Sequence, residues 1–129
     1  MEKIDVVIER GNDGVYTAVP QHGYKIGFMG CGKTVDAAIA DLNNSWREAK
    51  AFLPELPEFE YVFKYDTASF LQQYSKYLTL TGLQTITGID HRQLSRYLTG
   101  RSKPTRKTAE RIQTGFKNFS ANIGQLAFV

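Results

Sequence analysis

The chain has 129 residues, of which 42% are hydrophobic, 22% charged and 12% aromatic, with a formal net charge of +3. That length allows one ordinary domain or two very small ones, and leaves no room for a large multi-domain enzyme. The composition excludes disordered, collagen-like and mucin-like sequence, and no apolar run approaches the roughly 18 residues needed to span a bilayer.

Met1-Glu2-Lys3-Ile4-Asp5 lacks the basic start and continuous apolar stretch of a signal peptide, so a cytoplasmic product without membrane association is expected. The single cysteine, Cys31, has no internal disulfide partner, and neither His22 nor His91 stands in a metal-ligand spacing. Neither a metal nor a cofactor is expected. The net charge hides an asymmetry. Residues 1–64 carry seven Lys/Arg against ten Asp/Glu, a balance of −3, whereas residues 65–129 carry nine against three, a balance of +6. Within 91–117, Arg92, Arg96, Arg101, Lys103, Arg106, Lys107, Arg111 and Lys117 face the single acid Glu110. That is an electrostatic footprint for a polyanion, since neutralising phosphates releases condensed counterions. Charge alone would equally fit a solvated basic face.

In the first half Ile4, Val6 and Ile8 alternate with Lys3, Asp5 and Glu9, the period of a strand with one buried face. Gly11-Asn12-Asp13-Gly14 reads as a turn, and Val15, Thr17 and Val19 as a second strand, so a hairpin is expected. Residues 24–29 supply a candidate third strand. Thr34 is a candidate N-cap, and Val35, Ala38, Ile39, Leu42, Trp46, Ala49 and Leu53 recur at helical spacing until Pro54. Glu60-Tyr61-Val62-Phe63-Lys64-Tyr65 reads as one more strand. The expected first unit, 1–65, is therefore a small three- or four-stranded α+β sheet with one helix on a face, and a boundary falls at Asp66-Thr67.

Gly14-Val15-Tyr16-Thr17-Ala18-Val19-Pro20, followed by Gly32-Lys33-Thr34-Val35-Asp36-Ala37-Ala38-Ile39-Ala40-Asp41-Leu42, resembles the HicB antitoxin family. The resemblance implies a reduced RNase H-like fold for this unit. Ala37 stands where the family usually carries an acid, and His22-Gly23-Tyr24 where a Leu-Pro-Gly-Cys type loop is frequent. A nuclease of the RNase H kind would need several carboxylates converging on two cations, whereas Asp36, Asp41 and Glu48 fall on a solvated helix flank. Gly27 to Thr34 matches the phosphate-loop spacing G-x-x-x-x-G-K-T. A true phosphate loop follows a buried parallel strand of a much larger nucleotide-binding domain, so no nucleotide hydrolysis is expected here.

In the second half Phe70, Leu71, Tyr74, Tyr77 and Leu78 share one face of a helix capped by Asp66 or Thr67. A short helix from about Thr81 to Thr87 is expected, with Leu83 and Ile86 inward. Gly88-Ile89 then forms a sharp turn, and Asp90 caps a helix from His91 to Leu98 closed by Gly100. Leu94 and Leu98 point inward, which leaves His91, Arg92, Gln93 and Arg96 as candidate base readers, because arginine pairs with guanine and glutamine with adenine in the major groove. Ser95, Arg101, Lys103, Arg106 and Lys107 are candidate phosphate contacts. A last helix from Thr105 buries Ala109, Ile112, Phe116, Phe119 and Ile123, and Gly124 to Val129 reads as a short strand or docking segment that contributes to a dimer.

Leu83 to Gly100, with the tail Arg101-Ser102-Lys103-Pro104-Thr105, resembles the repressor-type helix-turn-helix found in phage-repressor relatives and in many HicB antitoxins; Gln84 stands where that motif usually has alanine. Together the two resemblances imply a toxin-facing unit, 1–65, followed by an all-α DNA-binding unit, 66–129. They imply a non-enzymatic antitoxin that binds a small HicA-like RNA-cleaving toxin and represses its own operon on double-stranded operator DNA as a homodimer or higher homo-oligomer. The acidic first unit suits a basic toxin. The alternative reading is a stand-alone helix-turn-helix transcriptional regulator whose first unit binds a ligand or another protein. The third is a minimal nuclease or NTPase.

Overall fold

The computed structural model describes residues 1–129. Its elements are β1 (Glu2–Arg10), β2 (Tyr16–Pro20), β3 (Gly30–Gly32), α1 (Val35–Phe52), β4 (Phe59–Tyr65), α2 (Thr67–Tyr74), α3 (Leu80–Thr87), α4 (His91–Leu98) and α5 (Arg106–Gly124). None of these helices is long and apolar enough to cross a membrane.

The four strands form one mixed sheet in the order β3-β2-β1-β4. β1 and β2 are antiparallel neighbours around the turn, with Val6 opposite Pro20 and Arg10 opposite Tyr16. β4 runs parallel to β1, Ile4 opposite Tyr61 and Ile8 opposite Tyr65. A parallel neighbour requires a crossover, and α1 supplies it. The Thr34 hydroxyl accepts from Ala37 N at 3.1 Å to start α1, and Leu53 closes it ahead of Pro54. Its inner stripe of Val35, Ala38, Leu42 and Ala49 packs with Val6, Ile8, Tyr16, Ala18, Phe28 and Leu56 into the first core. The opposite sheet face carries exposed Lys3, Asp5, Glu9, Val19, Glu60 and Lys64.

β3 begins at Gly30, directly after the 24–29 segment that the sequence suggested. The reason is close packing: a Cβ on Gly30 would overlap Ala38 O and Leu42 N, and one on Gly32 would meet Ala37 Cβ at 2.6 Å. Only glycine lets this short strand lie directly on α1. Residues 21–29 form a loop instead, pinned by buried Phe28 with His22 stacked on it at 4.9 Å between ring centroids. The phosphate-loop spacing is thereby explained structurally. Gly30-Cys31-Gly32 pairs with β2, and Cys31 N donates to the Asp41 carboxylate at 2.9 Å, so these amides do not form a cradle open to a phosphate.

The second core consists of Leu71, Leu83, Ile89, Leu94, Tyr97 and Ile112, contributed by α2, α3, the turn before α4, α4 and α5. The helix expected to carry Phe70 through Leu78 stops at Tyr74. The Ser75 hydroxyl donates to Gln72 O at 2.7 Å, and Tyr77, left outside the core, is 70% exposed. Residues beyond Phe116 also depart from expectation. Ile123 is 49% exposed, and Leu126 and Phe128 belong to no strand and stand in solvent.

No flexible linker separates the two cores. Asp66 alone stands between β4 and α2, and besides accepting from Phe70 N in the first turn of α2 it makes three further bonds. Its Oδ1 accepts from Ser69 N at 2.9 Å as the α2 N-cap, its Oδ2 accepts from Arg10 N at 2.9 Å, and its own N–H donates to Ile8 O. The Gln72 side chain accepts from Val35 N at 2.9 Å, and Lys76 pairs with Asp36 at 2.6 Å. α2 is thus bonded to the end of β1 and to the start of α1 while it packs in the second core.

Candidate nucleic-acid interface

The centre of the second unit is two short helices joined by a left-handed glycine. Gly88 has φ 72°, a conformation that lets α3 end and α4 begin within three residues. Buried Thr87 locks this corner, its hydroxyl donating to Leu83 O at 2.8 Å and accepting from Ile89 N at 3.2 Å. Arg111 of α5 donates to Gly88 O at 3.0 Å. This arginine, one of the basic residues of 91–117, braces the turn from an exposed position.

Asp90, the expected cap of α4, makes no side-chain cap bond. Gln84 takes that role from seven residues upstream: its Oε1 accepts from His91 N at 2.9 Å and lies 3.1 Å from His91 Nδ1. The residue that departs from the repressor-type pattern is therefore the one that caps the helix and orients the His91 ring. A local rule for caps looks at the preceding residue and misses such an acceptor.

Along α4, Leu94 and Tyr97 are buried and Leu98 is half-buried. At 100° per residue, His91, Ser95, Arg92 and Arg96 share the opposite arc, and His91, Arg92 and Arg96 are exposed. Gln93 departs from this arc. It lies on the shoulder beside Tyr97, half-buried, and its carboxamide donates to the Ser102 hydroxyl at 3.3 Å. Ser102 N in turn donates to Arg96 O at 3.3 Å, so the loop carrying Arg101 and Lys103 is hung on the end of α4. Both cations are exposed.

Thr105 caps α5, accepting from Thr108 N at 3.2 Å, and Arg106 and Lys107 occupy its first turn. Cations at a helix N-terminus oppose the macrodipole, which favours acids there. α4 repeats the arrangement with Arg92, and neither helix has an acid in its first turn. The ion pairs of the chain are Lys76 with Asp36 and Arg106 with Glu110, and the His91 ring lies 3.5 Å from the Asp90 carboxylate. Arg92, Arg96, Arg101, Lys103 and Lys107 have no carboxylate partner within salt-bridge distance. These five unpaired cations on and beside α4, of which Arg92 and Lys107 also sit against helix dipoles, form a surface whose local electrostatics are improved by a polyanion.

The residues of the first unit that bear on other chemistry are scattered. Cys31 is exposed on β3, His22 is stacked in the loop, and no three His, Cys, Asp or Glu side chains group as ligands would. Comparison with protein-family models, with curated proteins and with solved structures gives no match.

Proposed function

We propose that the chain is a sequence-specific DNA-binding repressor of the antitoxin type, and that α4 enters the major groove of its operator. The observation that carries this reading is the exposed, unpaired stripe of Arg92 and Arg96 on a short helix whose other face, Leu94 and Tyr97, is anchored in the second core. Arg92 and Arg96 read base edges, with His91 held in place by Gln84 beside them. Gln93 supports the loop through Ser102 instead of reading a base. Ser95, Arg101, Lys103, Arg106 and Lys107 contact phosphates and set the register of the protein on the duplex.

Repressor-type modules bind paired half-sites, and the second half of α5 offers the surface for pairing two copies. Ile123 lies there 49% exposed beside half-buried Phe119, and Leu126 just past the helix end is 68% exposed. On this reading the first unit presents its uncovered sheet face, with Asp5, Glu9 and Glu60, to a small basic RNA-cleaving toxin in the cytoplasm, and the chain itself catalyses nothing.

Selection of duplexes from a random pool by the wild-type protein tests the DNA reading. An enriched sequence should bind at least about a hundredfold more tightly than its scrambled version, and Lys103→Ala should weaken both and flatten the salt dependence. If no sequence is enriched, α4 is not a reader. Co-purification from cells expressing the neighbouring open reading frame tests the toxin partner, and sedimentation of Ile123→Asp against wild type tests the pairing surface.

A further inference from the structure

The chain has three glycines with positive φ, Gly14, Gly88 and Gly100, and each lies against an arginine side chain. Arg111 braces Gly88 at the front of α4, as described above. Gly14 and Gly100 share the other arginine, Arg10. A Cβ on Gly14 would stand 3.2 Å from Arg10 Nη2, and a Cβ on Gly100 would collide with Nη1. Gly14 closes the β1–β2 hairpin, and Gly100 follows the C-terminus of α4. One guanidinium thus lies between a turn of the first unit and the end of the helix proposed to read DNA.

The Arg10 backbone N–H is bonded to Asp66, and Nη1 donates to Gly11 O at 3.3 Å. Burial pushes the Tyr16 hydroxyl up from its ordinary value, and the Arg10 charge beside it works against that rise. The guanidinium also lies at the negative end of the α4 dipole, where a cation is favourable. Gly100 N donates to Tyr97 O and Ser102 N to Arg96 O, so whatever holds Gly100 also holds the loop that carries Arg101 and Lys103.

We propose that Arg10 is a positioning residue for DNA recognition, through which the β1–β2 hairpin of the first unit fixes the end of α4 and its following loop. The inference rests on the DNA-binding reading above and goes beyond it, because it places a determinant of operator affinity outside the helical unit. Reciprocity follows: a partner that displaces the hairpin weakens operator binding by the same factor by which operator weakens that partner.

Arg10→Gln removes the charge at similar length, and Arg10→Lys keeps the charge without the fork. Two readouts are taken on the full chain. Amide exchange of Gly100 and Ser102 without DNA should rise about fivefold in Arg10→Gln, with Arg10→Lys intermediate. Affinity for the selected duplex should fall about fivefold and affinity for scrambled duplex by less, while the salt slope stays as in wild type because the loop keeps its cations. Unchanged exchange overturns the proposal, and so does faster exchange with wild-type affinity for the selected duplex. An equal loss on both duplexes with a salt slope lower by about one would make Arg10 a phosphate contact, which also overturns it. Should Arg10→Gln fail to fold, Arg10→Lys carries both readouts with smaller shifts. If wild type does not distinguish the duplexes, the DNA reading fails separately, and exchange still decides whether Arg10 holds the loop.

Discussion

Leu94→Ala removes the anchor behind the proposed reading face without touching that face. Leu94 is fully buried in a core of six residues. Truncation to Cβ deletes three carbon groups worth about 0.8 kcal/mol each in transfer, and incomplete collapse of the cavity brings the cost to about 3 kcal/mol. A unit this small holds only about 3–10 kcal/mol of stability, so the loss is a large part of the whole. Urea unfolding followed by circular dichroism at 222 nm reports chiefly on the helices, and the midpoint should fall by about 2–3 M at a slope near about 1 kcal/mol/M. Trp46, the chain's one tryptophan, packs against the first core and gives a second signal. Its emission without denaturant should keep the wild-type value, because the damage is confined to the other core. A stability loss below about 1 kcal/mol would refute the packing argument, since a leucine so enclosed cannot be truncated that cheaply.

Three further outcomes follow from particular contacts. Ser69 is fully buried with a hydroxyl that has no hydrogen-bond partner, so Ser69→Ala should raise stability by about 1 kcal/mol in the same urea assay. Hydrogen bonds from Lys76 and then Gln73 hold the Asp36 carboxyl below its ordinary value of 3.8. The stability it contributes is therefore present above pH 3.8 and lost as pH falls through the depressed value, so Asp36→Asn should flatten the wild-type decline below pH 4 in acid titrations. Gln84→Ala removes the side-chain cap of α4 and should cost about 1 kcal/mol by thermal denaturation, whereas Asp90→Ala should cost less.

The elements most legible in the sequence were those whose period is set by a single buried face. β1 with Ile4, Val6 and Ile8, α1 from the Thr34 cap to Pro54, and α4 with Leu94 buried all lie where their patterns place them. What escaped was set by contacts distant along the chain. β3 is decided by how closely Gly30 must approach α1, which no alternation of hydrophobic residues reveals. The α4 cap comes from Gln84, a residue that propensity assigns to a helix interior. Gln93, offset 200° from His91, lies half-buried on the shoulder of α4 and is bonded to Ser102, a contact nine residues away in sequence. The contacts of Asp66 and Arg10 join residues 56 apart, and nothing local to either announces them.

The central claim is that α4 presents Arg92 and Arg96 to the bases of a duplex. Its most direct measurement is the affinity of Arg92→Ala and Arg96→Ala, each against the wild-type-selected duplex and single-base variants of it, by fluorescence anisotropy at fixed salt. Each variant should lose about 1–3 kcal/mol on the selected duplex and become indifferent to the base at one position while keeping wild-type stability. Wild-type affinity and unchanged base preference in both variants would contradict the account.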